Sequence, residues 1–194
     1  MLKFFEIPKN AHNSVFFMQD FFTVSNDVDV LVLREPLKRF WSACKTNTAE
    51  LSPFGNFPTY TKEDFTNRPT TYEGLSLTPQ QAIDAIKTRL DNNDLTLHLK
   101  TQTSYIGDKK FDHVIKVETL RDDVDALLEQ YGQPSITDEM WPHTHSSVKE
   151  WDDAAMTIIN ADDDIRAFYQ ADIDLYASDY SSLLKSNMSP PGLE

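Results

Sequence analysis

Two apolar runs near the N-terminus, each stopped by a break and followed by a helix signal, constrain this chain more than any other feature. Lys3 to Ile7 is a short, mostly apolar run ended by Pro8, whose ring disfavours helical backbone in the residue before it. It predicts a buried strand. A loop of small and polar residues follows, and Val15 to Phe22 is then apolar nearly all round, as a buried helix is. Val28 to Leu33 predicts a second buried strand. Pro36 stands where a helix begins, because a first-turn residue needs no backbone N–H; that helix is expected to run to about Ala49. Strand, loop, helix, strand, helix predicts the α/β class, a short parallel β-sheet flanked by helices.

The 194 residues fit a single domain spanning 1–194. Residues 50–76 change character: Pro53, Pro58 and Pro69 with scattered aromatics make a long irregular loop, of the kind that serves as a lid or binding loop. Helix resumes at Thr78-Pro79-Gln80-Gln81, which combines a cap residue, a first-turn proline and a capping-box glutamine. Leu95 to Leu99 reads as extended and Val114 to Val117 as a third strand. Thr119 then caps a helix stopped by Gly132. Trp141 to Ser147 reads as loop, one or two helices are expected between Ser147 and Tyr180, and Asn187 to Glu194 reads as a frayed tail.

Charge narrows the partners. Eighteen basic against thirty-one acidic residues leave a net charge of −13. That balance argues against general nucleic-acid binding and against charge-driven docking on an anionic membrane. One cysteine, Cys44, excludes an internal disulfide and fits a reducing compartment. The opening residues lack the apolar stretch of a signal peptide, and no run is long enough to span a bilayer, so a cytoplasmic location is expected. Lys3, Lys9, Arg34, Lys38, Arg39 and Lys45 nevertheless gather in the first 45 residues, as cations kept for a small anion would.

A loop joining a parallel strand to its helix is where α/β proteins hold phosphate, since helix N-terminal amides and the helix dipole favour an anion there. Here that loop is Pro8-Lys9-Asn10-Ala11-His12-Asn13-Ser14, leading into Val15. It lacks the Gly-x-x-x-x-Gly-Lys spacing of an NTPase loop and offers a lysine, two amides and a hydroxyl instead. Arg34 stands at the end of the second strand, and Ser42 lies on the helix after it. Arginine suits a multi-donor grip on phosphate. Arg39 reads equally as a helix-surface or structural ion-pair residue.

The order of these segments resembles PAPS-dependent sulfotransferases, enzymes that use 3′-phosphoadenosine 5′-phosphosulfate. The similarity rests on Pro8-Lys9-x-Ala11-x-x-Ser14 and on Arg34-Glu35-Pro36-x-x-Arg39-x-x-Ser42-Ala43. His98-x-x-x-Gln102, Asp112-x-Val114-Ile115-Lys116-Val117-Glu118-Thr119-Leu120 and Tyr169-x-x-Asp172-x-x-Leu175-Tyr176 agree with it, and the nearest branch is the chondroitin and dermatan type of carbohydrate sulfotransferase. The resemblance implies a P-loop-NTPase-like sulfotransferase fold. It also implies that Pro8, Lys9, Asn10, Ala11, His12, Asn13, Ser14 and Val15 cradle the 5′-phosphosulfate, and that Arg34 and Ser42 hold the 3′-phosphate. Lys9 would neutralise the bridging oxygen as the S–O bond breaks. His12 and Asn13 depart from the family, which usually has glycine and Thr or Ser there.

The implied reaction moves a sulfuryl group from PAPS to a hydroxyl of a carbohydrate-type acceptor, releasing PAP, with no metal required. The acceptor proton needs a base, for which His98, His12 and Glu6 are the candidates. The rivals are a small-molecule kinase using ATP and a non-catalytic adenylate- or sugar-binding module. Elsewhere, His143-x-His145 near Asp138, Glu139 and Asp152 sketches a metal set without convincing spacing. Cys44 reads as core, and Asp162-Asp163-Asp164 as a solvated helix start.

Overall fold

The computed structural model describes residues 2–5, 7–8, 27–51 (backbone only from 46), 78–92, 95, 97–137 and 149–186. The expected helix Val15 to Phe22, residues 52–76 of the irregular segment, the loop Trp141 to Ser147 and the tail from Asn187 lie outside these. The described elements form an α/β fold with a three-stranded parallel sheet and helices. They fall into two compact units.

The first unit holds the sheet. Strand β1 (Leu2–Phe5) pairs in parallel with β2 (Val28–Leu33), and β2 with β3 (His113–Lys116), in the order β1-β2-β3. The register sets Lys3 against Asp29, Phe5 against Leu31, and Leu33 against Lys116. Because side chains alternate across a strand, Leu2, Phe4, Val28, Val30 and Val32 share one face. That face is buried with Val124, Leu127 and Leu128 of helix α4 (Leu120–Gln130). The opposite face buries Leu31 and Leu33 with Ile106 of the short helix α3 (Gln102–Ile106), Phe111 and Leu183. β2 is central and covered on both faces, which is why Val28 to Leu33 lacks an alternating polar pattern.

Helix α7 (Gln170–Ala177) and a 3₁₀ turn (Ser181–Leu183) complete this unit. The chain after that turn pairs with residue 111: Phe111 N–H donates to Leu183 carbonyl and Lys185 N–H to Phe111 carbonyl. Lys185 Nζ then bridges Asp29 and Asp112, 2.8 Å from each carboxylate. Burial opposes the Asp112 charge, but Lys185 and the Asp29 N–H outweigh it and hold the carboxyl below its ordinary pKa.

The second unit is helical. Helix α1 begins at Pro36, as its first-turn proline predicts, and continues to Leu51, one turn-half beyond the expected Ala49. Helix α2 (Pro79–Asp91) opens with the full capping box: Gln81 N–H donates to Thr78 Oγ1, and Thr78 N–H to Gln81 Oε1. Its buried stripe of Ala82, Ile83, Ile86 and Leu90 packs against helix α5 (Lys149–Ala161), which buries Ala155 and Ile159. Helix α6 (Asp163–Phe168) follows, capped by Asp162, whose carboxylate accepts from Asp164 and Ile165 N–H. The aspartate run therefore does start a helix. Asp162 is not simply solvated, however: Lys87 Nζ lies 2.8 Å from it and 2.8 Å from Asp164.

Several boundaries differ from the sequence reading. Leu97 to Leu99 forms a turn rather than a strand, with Leu97 exposed and Leu99 buried. The fully buried Tyr169 holds this turn, its hydroxyl donating to Leu99 carbonyl at 2.6 Å. β1 ends at Phe5, and β3 occupies His113–Lys116, one residue earlier than expected. Three helices, not one or two, lie between Ser147 and Tyr180, because Asp162 and Tyr169 interrupt the apparent long one. Thr119 precedes α4 but does not cap it; its hydroxyl donates to Asp123 Oδ2, which also accepts Lys116 N–H. Gly132 does end that region, at φ 64°.

Candidate functional site

Parallel strands direct their carboxyl ends to one edge; Arg34 directly follows β2 there, and Pro8 comes three residues after the end of β1. Lys116 closes β3 at the same edge, in register with Leu33. The sheet thus ends β3 on a lysine whose register partner, Leu33, immediately precedes Arg34.

Arg34 is held through its backbone. The ladder of β2 stops at Leu33, and beyond it the Gln102 side chain takes over the role of a neighbouring strand. Arg34 N–H donates to Gln102 Oε1 at 3.0 Å, and Gln102 Nε2 donates to Arg34 carbonyl at 2.9 Å. Gln102 is buried and sits at the start of α3, where unsatisfied N–H groups need acceptors. Asp172 of α7 supplies them: its fully buried carboxylate accepts Gln102 N–H at 2.6 Å, and Thr103 N–H and Oγ1 at 2.8 and 2.9 Å. A carboxylate out of water persists only with such partners.

Glu118 fixes the next residue. One oxygen accepts Glu35 N–H at 3.0 Å and the other accepts the Tyr176 hydroxyl at 2.8 Å. Burial, reinforced by the Glu118 carboxylate, pushes the Tyr176 phenol above its ordinary pKa, so it stays a donor. Lys116 Nζ lies 4.7 Å from the Tyr176 ring centroid and 5.4 Å from that of Tyr180, a cation against two aromatic faces. Tyr180 adopts a left-handed backbone, φ 61°, and its hydroxyl donates to Tyr176 carbonyl.

The second unit carries Ser42 and His98. Ser42 lies in the second turn of α1, half-buried, and His98 lies in the turn Leu97 to Leu99, half-buried as well. Arg39, one turn before Ser42, is fully buried rather than a surface residue, and its guanidinium donates to Lys100 carbonyl at 2.8 Å. Its role is structural. Cys44 is buried, as its reading as core requires, and burial pushes its thiol pKa up. Asp152 of the sketched metal set is engaged by Trp41 Nε1 at 2.5 Å and Lys45 Nζ at 3.0 Å. His143, His145, Asp138 and Glu139 lie outside the described residues.

Lys9, Asn10, Ala11, His12, Asn13, Ser14, Val15 and Glu6 also lie outside them. Of the expected site, the first unit holds Pro8, three residues after β1, and Arg34, which directly follows β2. Around Arg34 it assembles Gln102, Glu118 and Asp172, which the motifs contained without assigned roles. Lys116 was quoted within a motif but given no role; its signal was a lysine ending a short strand, next to the buried Ile115. Among the described residues no helix is long and apolar enough to cross a membrane, and no cluster of three or more metal-ligating side chains occurs. A scan against protein-family models finds no match, and searches of curated proteins and of solved structures find none either.

Proposed function

We propose that the chain is a PAPS-dependent sulfotransferase of P-loop-like fold, moving a sulfuryl group to a hydroxyl of a carbohydrate-type acceptor. The observation that carries this reading is the fixing of Arg34 at the carboxyl end of the central strand by Gln102, Asp172 and Glu118. A protein that rigidifies the backbone of one arginine at the ligand edge of a parallel sheet is set up to hold a phosphate there. Four of the segments that resemble the family meet in that network.

In this reading Arg34 and Ser42 bind the 3′-phosphate, and the loop from Pro8 to Val15 binds the 5′-phosphosulfate. The acceptor oxygen attacks sulfur while the bond from sulfur to the 5′-phosphate oxygen breaks. Lys9 neutralises the charge growing on that leaving oxygen, and His98 or His12 takes the acceptor proton. PAP leaves with the bridging oxygen. Lys116 adds a second cation at the same edge.

The test is calorimetric titration with PAP, with ADP and Mg-ATP as comparators, on the wild type and Arg34→Ala. Preferential PAP binding, weakened about tenfold or more in the variant, is the expected result for loss of one charge-assisted contact. Equal binding of PAP and ADP overturns the reading and favours a kinase.

A further inference from the structure

An open cleft of about 360 Å³ lies in the first unit, lined among others by Lys3, Phe5, Asp29, Lys109, Lys110 and Phe111. Its volume is in the range of small-molecule sites. Lys3 and Phe5 alternate onto the sheet face opposite α4, and Asp29 stands beside Lys3 in register. The cleft therefore belongs to that face and to the approach to β3, whereas Arg34 sits just past the carboxyl end of β2 and Lys116 at the last position of β3.

Its floor is aromatic. The Phe5 and Phe111 rings meet at 5.3 Å with a 55° tilt, and Phe111 is buried. Its rim is cationic. Lys109 Nζ lies 4.9 Å from the Phe5 centroid and donates to Tyr105 carbonyl at 3.2 Å. Lys110 Nζ donates to Ser182 carbonyl. Both ammonium groups thus contact carbonyls, and among the described residues neither has a carboxylate partner. Asp29, the carboxylate in the lining, is already neutralised by Lys185, and Lys3 is paired with Asp27. The loop that presents the two lysines is fixed at its start by Gly107, whose φ of 54° and ψ of −132° suit only glycine.

In a chain of net charge −13, two neighbouring lysines without carboxylate partners among the described residues, one of them over the Phe5 ring, are an exception that chemistry can use. We infer that this cleft is a second binding site, for a small organic anion with a flat apolar body: the half-buried Phe5 ring, backed by Phe111, takes the body, and Lys109 and Lys110 take a carboxylate, sulfate or sulfonate. It is independent of the site at Arg34.

The probe is 2-naphthalenesulfonate, titrated calorimetrically into the full chain, with uncharged 2-naphthol as comparator. Saturable binding with a dissociation constant below about 1 mM is expected, and at least about tenfold weaker binding of 2-naphthol. The double variant Lys109→Gln/Lys110→Gln should lose about tenfold or more in affinity for the sulfonate while keeping its urea midpoint. Lys149→Gln, which removes a lysine from α5, and Arg34→Ala should bind the probe as the wild type does. Absence of saturation, equal affinity for 2-naphthol, or unchanged affinity in the double variant overturns the inference. Displacement of the probe by PAP overturns its independence from the Arg34 site.

Discussion

Gln102 grips the backbone of Arg34 with both ends of its side-chain amide, accepting the N–H at 3.0 Å and donating to the carbonyl at 2.9 Å. The pair extends the sheet by one residue without a strand. It fixes where the arginine leaves the sheet, and so where any anion held by it must sit.

Replacing Gln102 by alanine should leave both Arg34 backbone groups unpaired in a half-buried setting, at a cost of about 1–3 kcal/mol. Urea denaturation measures the loss. Gln102→Glu keeps the acceptor and removes the donor, sets a carboxylate oxygen against the Arg34 carbonyl, and should also lower the urea midpoint. In both variants PAP affinity should fall further than stability alone explains, because the arginine is no longer positioned.

Asp172 should be the more sensitive of the two. Its carboxylate accepts three hydrogen bonds in a fully buried position, and asparagine offers one oxygen in place of two. Asp172→Asn is expected to destabilise by about 2 kcal/mol, with Asp172→Ala costing more. Comparison of the two denaturation midpoints checks the order.

His113 predicts a pH dependence. Burial lowers its pKa from the ordinary 6.5, opposed by the Asp112 charge, and its Nε2 lies 2.9 Å from the Tyr131 hydroxyl. The unfolded chain therefore takes up the proton at higher pH than the folded one. This contribution is fully present above about pH 6.5 and is lost as pH falls through the window down to the lowered native pKa. His113→Gln should flatten the fall in urea midpoint between about pH 7 and pH 5.5.

Cys44 gives a clean reporter of the helical unit. Its thiol is buried, and burial raises its pKa, so thiolate is scarce in the native state. Ellman's reagent should modify it at least about a hundredfold more slowly in buffer than in denaturing urea. Equal rates would mean that α1 opens freely.

The elements legible in the sequence were those whose signals are local. Pro36 and the Thr78-to-Gln81 box act within one helical turn, so each placed its helix start correctly. The apolar run from Val28 to Leu33 also announced itself, because a central strand buried on both faces needs no partner to be recognised. Leu95 to Leu99 misled for the opposite reason: Leu99 is held by a distant tyrosine, not by a sheet. Thr119 misled because Asp123 competes for its hydroxyl. Arg34 was visible as a strand-end cation, whereas the clamp on it depends on contacts across some seventy positions, and no spacing rule encodes those.

The sheet unit draws on three separated stretches of chain, with β3 and α7 contributed long after β1 and β2. During synthesis at roughly 5–20 residues per second, β2 emerges from the ribosome seconds before the strand that will cover its second edge. The nascent chain must therefore carry an apolar, half-paired strand until residues from 101 onward appear. That interval is when a chaperone would find this protein, and when the charge of Asp29, on the strand with the open edge, would do most to keep neighbouring chains apart.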